Sequence, residues 1–542
     1  MNYTWLNPWV VGALVVTGLF LAPILAVFAA ASGDSDGLWF HLFDTVLPRY
    51  VSNTLLLMLG VGLVSLIFGI STAWIVVRYD FAGRRFIEWL LLLPFAVPPY
   101  LVAYTYTDFF EYAGPVQGIM RELFGWDNAS SYWFPEIRSL PGAMIVMGSV
   151  LYPYVYVMSR VAFVSTPASL YEVGIVSQQN LFWKVGLPLA RPAVFAGLAL
   201  VLMETMSDFG TVEYFSIETL TLGIFNIWLG MNSLTTASQI ASFSFLFIIA
   251  LLIIEMISRS RRRFMDTTRR SRSLKPISLR GNSSLICWMV CLLPIILGFV
   301  IPVGILLGFV VEESHTASVG AIGGAALNSL FISGISAVVI VAGASFLGFV
   351  AFYKGNSALK QLVALASIGY AFPGTILAIG VVTIGGALDT GVANFLTKHF
   401  GISHQGWFTG GVGLVIFACV IRFQAIGYGA VTSGLERLSP NMMDAGRVLG
   451  DGFGKSLQRV IIPLSRLSFI AGGLLVFVDC MKELPMALLL RPFNYETLAT
   501  YVYQYAKDEL LEEAAFPALI IVATSIVPVI IMNYTLHRVI KR

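Results

Sequence analysis

Two pairs of carboxylates occupy similar places in strongly apolar parts of the sequence. Glu204 and Asp208 are four residues apart, and so are Asp479 and Glu483. Residues four apart share one face of a helix, so each pair would present two carboxylates in one direction. Carboxylates at membrane depth are costly and usually functional, and hard anionic oxygen donors suit a hard cation. These four residues are therefore candidate contacts along a path for a solute.

The apolar segments that carry these acids are short and interrupted. The first ends near Gly210 and the second ends at Pro485. Paired interrupted spans point to a substrate path in membrane transporters. A structural alternative stays open, because the acids could pair with Lys482 or Arg422, or could be exposed at the outer mouth of a path.

One glycine-rich stretch imitates a nucleotide-binding loop. Residues 450–456 read G-D-G-F-G-K-S, but the phosphate-binding pattern requires glycine where Leu449 stands, and no strand precedes it. The 5 histidines are scattered, and the 4 cysteines lie in apolar segments without a CxxC pair. We therefore expect no catalytic residue and no cofactor on this chain. The sequence leaves the question of a metal site open.

The residues around these candidates are those of a membrane protein. Of 542 residues, 57% are hydrophobic and only 12% are charged, whereas soluble domains usually carry about a quarter charged residues. A backbone in lipid must satisfy its own hydrogen bonds, so we predict an all-α polytopic transmembrane helical bundle of about twelve spans. The N-terminal apolar run is interpreted as a retained span rather than a signal peptide, because no basic residue precedes it. The predicted segments are 9–31, 53–77, 86–107, 142–163, 190–206, 238–257, 285–311, 326–353, 361–386, 407–431, 466–481 and 514–536.

Basic residues predict the orientation of these spans. Most of the 33 Lys and Arg lie on alternate connections, which should be cytoplasmic, and acids collect on the opposite loops. The same rule places the C-terminus and the basic segment 258–284 in the cytoplasm. That segment reads as a linker, whose basic run could bind anionic lipid or nucleic acid. Because it lies beside two hydrophobic blocks, we favour anchoring at the bilayer and predict no nucleic-acid partner.

The chain consists of two similar halves, 1–257 and 285–542, joined by that linker. Residues of the two halves match at one offset of 275 positions. Each half holds six predicted spans, an even number, so the halves should be parallel, with a pseudo-two-fold axis along the membrane normal and a path between them. Matched pairs include Asn53 with Asn328, Pro98 with Pro373, Pro188 with Pro463, Gly197 with Gly472, and Asp208 with Glu483.

A polar loop of the second half carries a spaced motif. It reads Asp444-Ala445-Gly446, then Gly450, and closes with Val-Ile-Ile before Pro463. Here the chain resembles the permease subunits of type I ABC importers, whose cytoplasmic loop reads E-A-A, three residues, G, nine residues and I-x-L-P. Asp replaces Glu and Gly replaces the second Ala, while the spacing is kept. Two short helices joined by a glycine turn could present a knob to a soluble partner, and an ordinary amphipathic loop is the alternative.

The corresponding loop of the first half departs further from the motif. Glu172 and Gly174 stand at the ends of its E-A-A position, and Leu187-Pro188 closes it. The loop is three residues shorter and lacks a counterpart of Gly450. The resemblance implies that both loops dock an ATPase subunit, and how tightly the shorter loop docks stays open.

Further stretches of the sequence make the resemblance more specific. Residues 203–215 (M-E-T-M-S-D-F-G-T-V-E-Y-F), 482–485 (K-E-L-P) and 488–500 look like the fused permeases of ferric-iron importers, and the likeness covers nearly the whole chain. It implies the type I ABC importer permease fold in the bacterial cytoplasmic membrane, and a periplasmic binding protein that delivers substrate. It also implies two copies of a cytoplasmic ABC ATPase, with ATP on those subunits, docked around 169–188 and 441–463.

The resemblance implies ferric iron as the substrate, but other function classes stay open. Thiamine and phosphonate importers have fused permeases of similar length. A secondary transporter would need no ATPase. A membrane enzyme would need a nucleophile–base or metal constellation, which the sequence does not display.

Overall fold

The structure, a computed structural model, describes residues 7–260, 275–312, 319–355, 357–401, 408–436 and 450–540, with 406, 438, 442 and 448. The described part is almost entirely helical, which confirms the all-α prediction. Two short strands, β1 Tyr79–Asp80 and β2 Ile277–Ser278, pair in parallel and join the end of the predicted linker to the loop after α3.

The helices follow one another with short connections. The α-helices are α1 Pro8–Ala31, α2 Leu38–Thr45, α3 Leu47–Arg78, α4 Arg84–Leu90, α5 Pro99–Phe110, α6 Pro115–Phe124, α7 Leu140–Ser165, α8 Ala168–Val176, α9 Leu187–Ser207, α10 Gly210–Tyr214, α11 Leu220–Phe225, α12 Leu234–Ser260, α13 Asn282–Ile295, α14 Ile301–Glu312, α15 Val319–Tyr353, α16 Ser357–Leu365, α17 Gly374–Phe400, α18 Val412–Leu435, α19 Phe453–Ser456, α20 Ile462–Met481, α21 Pro485–Leu490, α22 Leu498–Lys507 and α23 Leu511–Ile540. The 3-10 turns are Leu93–Ala96, Ala129–Ser131 and Ile368–Ala371, and the π-helical turns are Phe182–Gly186, Asn226–Gly230, Ile296–Val300 and Leu457–Ile461.

Ten of the described helices are long and apolar enough to cross a membrane, and a bent pair adds an eleventh. This confirms a polytopic helical bundle. The predicted segment 238–257 lies in α12, whose described apolar part, Leu234–Ala250, is shorter than a span.

Two predicted spans are wrong as single straight helices. In the segment 86–107 the chain turns by 90° after Ala96, and in the segment 361–386 it breaks after α16. A 3-10 turn precedes Pro98 in one case and Pro373 in the other, and these turns are again 275 residues apart. Proline keeps the residue before it out of the α-region, so a helix ends there and a new one starts behind it.

The first compact unit comprises Gly37–Asn226, Phe243–Ala317 and Val502–Arg542. Helices α3, α7 and α9 pack against one another at its centre. Tyr152 of α7 is fully buried there and donates its hydroxyl to the carbonyl oxygen of Leu91 at 2.8 Å. Such a satisfied hydroxyl lets an aromatic side chain fill an apolar core.

The second compact unit comprises Met1–Asp36, Ile227–Ser242 and Ser318–Tyr501. Helices α15, α18 and α20 pack against one another, and α1 packs along α17. Trp9 at the start of α1 contacts the ring of Phe453 edge-on, with 5.2 Å between ring centroids. The N-terminal span is therefore tied to the second predicted docking loop, in which Phe453 lies.

Each unit takes a span from the other half of the sequence. In the second unit α1, from the first half, lies so close to α17 that a Cβ at Gly380 would overlap the carbonyl oxygen of Pro23. In the first unit the helical segment 282–311, from the second half, lies so close to α7 that a Cβ at Gly298 would overlap the carbonyl oxygen of Ser149. Small residues let helix backbones approach in this way.

The compact units are therefore not the two sequence halves. The division into 1–257, a linker 258–284 and 285–542 describes the sequence repeat and stays a prediction. Residues 261–274 of the linker lie outside the described residues.

Cutting the chain within 261–274 tests the exchange of spans. Each unit needs helices from both fragments, so either fragment expressed alone should fail to accumulate in membranes. The two fragments expressed together should accumulate and copurify through a tag on one of them, as judged against the uncut chain. Separate, protease-resistant accumulation of either fragment would contradict the exchange.

Candidate functional site

The loop between α7 and α9 is a short helix folded back on a π-helical turn. Helix α8 carries Glu172, which is exposed, and Gly174, which is buried. A Cβ at Gly174 would lie 2.8 Å from Cδ2 of Leu181 and 3.0 Å from Cγ2 of Val185. A larger residue would push α8 away from the turn, so packing explains the glycine at this motif position.

Large apolar side chains of this loop face outward. Val173 is 64% exposed, Val176 is 84% exposed and Trp183 is 62% exposed. Beneath them Trp74 of α3 packs edge-on against Phe182, with 5.3 Å between ring centroids, and fixes the loop to the bundle. An exposed apolar patch on a fixed base is typical of a surface that contacts a protein or a membrane.

Both predicted docking loops rejoin a span through a π-helical turn followed by a proline. The turns Phe182–Gly186 and Leu457–Ile461 are 275 residues apart, and Pro188 and Pro463 follow each at the second position. Proline lacks an N–H and disturbs the helical hydrogen bonds before it, and a widened turn accommodates that disturbance. The helix thus continues from each loop into the span behind it. Leu187 and Pro188 are half-buried at this junction.

Only part of the second docking loop belongs to the described chain. Asp444, Ala445 and Gly446 lie outside the described residues. Gly450 has a φ of +86°, and a Cβ there would meet open space. The left-handed backbone, rather than crowding, therefore favours glycine at this position. Such a residue is what a turn between two short helices requires.

Asp208 begins the break that follows α9. Its Oδ1 accepts hydrogen bonds from the backbone N–H groups of Thr211 at 3.0 Å and Val212 at 3.2 Å, and its Oδ2 accepts one from the Thr211 hydroxyl at 3.1 Å. A carboxylate in this position satisfies N–H groups that the first turn of a helix leaves unpaired. Asp208 therefore holds the start of α10.

Glu483 caps the corresponding break 275 residues later, and a cation joins it. Its Oε1 accepts hydrogen bonds from the backbone N–H of Met486 at 3.2 Å and from Nη1 of Arg422 at 3.0 Å. The side chains of Arg422 and Glu483 are only 5% and 6% exposed. A Cβ at Gly374 would lie 2.5 Å from Nη1 of Arg422, so glycine leaves room for the pair. Because both charges are desolvated, each depends on the other.

The remaining two acids of the predicted path also lie at the ends of spans. Asp479 pairs with Lys482 at 2.9 Å, and Glu204 is half-buried on α9. Pairing with Lys482 or Arg422, the structural alternative, is thus what both acids of the second half show. The two acid pairs belong to different compact units, and their convergence on one axis stays a prediction. Within the described ranges, no three His, Cys, Asp or Glu residues are grouped to hold a metal.

The first unit also contains a group of polar residues that the sequence did not predict. Nζ of Lys507 donates to Oε1 of Glu213 at 2.9 Å, although the two residues are 294 positions apart in the chain. The same ammonium donates to the hydroxyl of Tyr503 at 3.4 Å. The only sequence signal was the position of Glu213 in the stretch that resembles iron permeases.

The sequence of this chain is similar to those of known membrane transport proteins. Residues 65–263 match the family described as binding-protein-dependent transport system inner membrane component. The chain is 23% identical over 502 residues to an Fe(3+)-transport system permease protein of Haemophilus influenzae, which covers 91% of each chain. It is 22% identical over 492 residues to a ferric transport system permease protein of Actinobacillus pleuropneumoniae, covering 85% of this chain and 67% of that relative.

A relative with a different named substrate aligns less extensively. A sulfate transport system permease protein of Escherichia coli is 29% identical over 217 residues, which is 38% of this chain and 69% of the relative. The relatives named for iron therefore align along both halves, whereas this one aligns with less than half of the chain. The predicted resemblance to fused permeases of ferric-iron importers is confirmed.

Replacing Arg422 by Met tests the buried pair. Glu483 would lose the cation that Arg422 supplies, and removing one partner of such a buried pair costs about 3–5 kcal/mol. The thermal midpoint of the purified protein in detergent should fall clearly. Arg459→Met is the matched control, because Arg459 is 70% exposed and its pair with Asp451 is of a kind worth about 0–1 kcal/mol. Equal midpoints for the two variants would contradict the assignment.

Proposed function

We propose that this chain, which carries the inner-membrane domain of binding-protein-dependent transport systems, is the permease subunit of an ATP-driven importer of ferric iron. The observation that carries the proposal is the similarity to an Fe(3+)-transport permease along 91% of the chain. Iron is favoured over sulfate because the sulfate relative aligns with only 38% of the chain.

The proposed work of the chain is translocation, and ATP hydrolysis is assigned to a partner. Two copies of a cytoplasmic ABC ATPase would dock on the loops around 169–188 and 441–463. The exposed apolar side chains Val173, Val176 and Trp183 of the first loop supply the kind of surface that such a partner covers. The chain itself would need no cofactor, and ATP would bind to the partner.

A continuous helix links each predicted docking loop to the break that Asp208 or Glu483 caps. We call these two breaks the acidic breaks. The helical segment Phe182–Ser207 has 26 residues, which corresponds to about 39 Å at the rise of an α-helix. It begins in the first docking loop and ends at Asp208. The segment Phe453–Met481 likewise ends just before Glu483. A movement imposed on either loop by the ATPase would therefore reach a carboxylate at the far end of a span.

The acidic breaks lie on the side that would receive the substrate. Positive-inside orientation places the docking loops, the linker and the C-terminus in the cytoplasm of a bacterial cell, and the breaks toward the periplasm. A periplasmic binding protein would deliver ferric iron there. Carboxylates at Glu204, Asp208, Asp479 and Glu483 would offer hard oxygen donors along its route.

Val176→Lys tests the docking surface. A charge in the centre of an apolar contact should weaken ATPase binding by about tenfold or more, while a cation at the end of α8 suits the helix dipole and leaves the fold intact. Copurification of the ATPase subunit with the tagged permease measures the effect. Phe493→Lys is the control, since Phe493 is 95% exposed in a loop that the positive-inside rule predicts to be periplasmic. Unchanged copurification of Val176→Lys would remove the loop from the interface.

Asp208→Asn tests the acidic break as a substrate contact. Asparagine caps a helix about as well as aspartate, so the fold should persist while the charge is lost. Uptake of radioactive iron by liposomes that contain the assembled importer should fall by about tenfold or more, with an unchanged thermal midpoint. Normal uptake by the variant would leave Asp208 with a structural role alone.

A further inference from the structure

The outer end of the first unit holds an ion pair surrounded by tyrosines. Glu213 at the end of α10 is 16% exposed, and it pairs with the ammonium of Lys507, which is 58% exposed. Tyr503, one helical turn before Lys507, accepts a hydrogen bond from that ammonium at 3.4 Å and lies within side-chain hydrogen-bonding reach of Glu213. A carboxylate oxygen and a phenol oxygen thus both contact the ammonium of Lys507.

A second phenol is buried beside this pair without a hydrogen-bond partner. Tyr104 of α5 is 2% exposed, and its hydroxyl makes no hydrogen bond to the described chain. Its ring contacts Tyr214 edge-on, with 4.5 Å between ring centroids, and the residue lies within electrostatic reach of Tyr503 and Glu213. A buried hydroxyl without a partner is costly, and a bound ion is one way in which a native structure satisfies such a group.

We propose that Glu213, Tyr503 and Tyr104 form an outer binding site for a trivalent hard cation, at which Lys507 is the resident counter-ion that the metal displaces. The inference rests on the proposed function, because ferric iron is the trivalent cation that the importer would carry. It assigns the substrate to particular donors that neither docking loop nor acidic break contains.

The charges of the site balance in both states. Without metal, the ammonium of Lys507 neutralises the carboxylate of Glu213, and both phenols keep their protons, as phenols do near neutral pH. With Fe³⁺ bound, one carboxylate and two phenolates supply three negative charges. The two phenolic protons pass to water at the outer face, and the ammonium keeps its proton and turns to solvent. Hard anionic oxygens of this kind are the ligands that a hard cation prefers.

The position of the site suits an early step of uptake. Glu213 lies five residues after Asp208 in the sequence, on the short helix that Asp208 caps. A movement of α9 would thus shift the carboxylate relative to Tyr503 on α22. The site would release its cation when that distance changes, because a metal site tolerates only small displacements of its ligands.

Visible absorption of iron phenolates gives a readout that does not depend on transport. The full chain, assembled with its ATPase subunits in lipid nanodiscs, is titrated with ferric citrate, and the phenolate-to-iron charge-transfer band is recorded. The unaltered protein should develop the band, and Tyr503→Phe and Glu213→Gln should each weaken binding by about tenfold or more. Tyr505→Phe is the matched control, since that side chain lies about 200° round the same helix and should leave the band unchanged.

Lys507→Met distinguishes the loss of a ligand from poor folding of a variant. Removal of the competing ammonium should tighten ferric binding, a gain that misfolding cannot produce. The proposal is overturned if the unaltered protein gives no band. It is equally overturned if Tyr503→Phe and Tyr104→Phe both keep the full band, or if Lys507→Met binds no more tightly.

Iron uptake by the same preparations separates this inference from the proposed function. ATP-driven uptake by the unaltered protein without a charge-transfer band would reject the site and retain the importer. A band that responds to the variants without any ATP-driven uptake would retain the site and reject the importer.

Discussion

Lipid offers no partner to an unpaired backbone N–H group, and this constraint governs the two places where long helices of this protein stop short. In both places a carboxylate accepts the freed N–H groups. Asp208 does so after α9, and Glu483 does so 275 residues later with Arg422 beside it. In the proposed function these same side chains would also contact the substrate. A structural and a functional role would then coincide, because a helix cap and a cation site need the same oxygen atoms.

Each of these two breaks lies at the end of a helix that begins in a predicted docking loop. Each predicted docking loop continues through a π-helical turn into a span, and that span ends at a capping carboxylate. The exchange of spans also joins the two halves of the sequence, because each compact unit contains helices from both. In one unit α1 packs against α17, and in the other the segment 282–311 packs against α7. Neither half of the sequence can therefore form its compact unit alone. This arrangement suits a protein in which events at a cytoplasmic loop must reach a distant site.

Sequence reasoning was strongest where lipid leaves few choices. Nine of the twelve predicted segments each coincide with one long helix of the described chain, because a long apolar run has few alternatives to a helix in a bilayer. It failed at 86–107 and 361–386, where hydropathy continues across Pro98 and Pro373 although the backbone cannot. The prolines were visible as repeat markers, and their effect on backbone geometry was the missed signal.

The residues of the candidate site could likewise be predicted from the sequence only in part. The acids were found because charge is rare in apolar segments, and Arg422 was named as a possible partner of them. Which acid it would meet depended on packing between distant helices. The pair of Glu213 and Lys507 joins residues 294 positions apart, so no local pattern could reveal it. The apolar surface of α8 was equally hidden, since exposure is a property of the folded loop.

Uptake of ferric iron by liposomes that contain this chain, with and without its partners, distinguishes an ATP-driven importer from a gradient-driven transporter. Iron should enter when the ATPase subunits, the iron-loaded binding protein and ATP are all present. No uptake should occur when a proton or sodium gradient replaces ATP. Iron entering liposomes that contain the chain alone, driven by such a gradient, would contradict the proposed import mechanism.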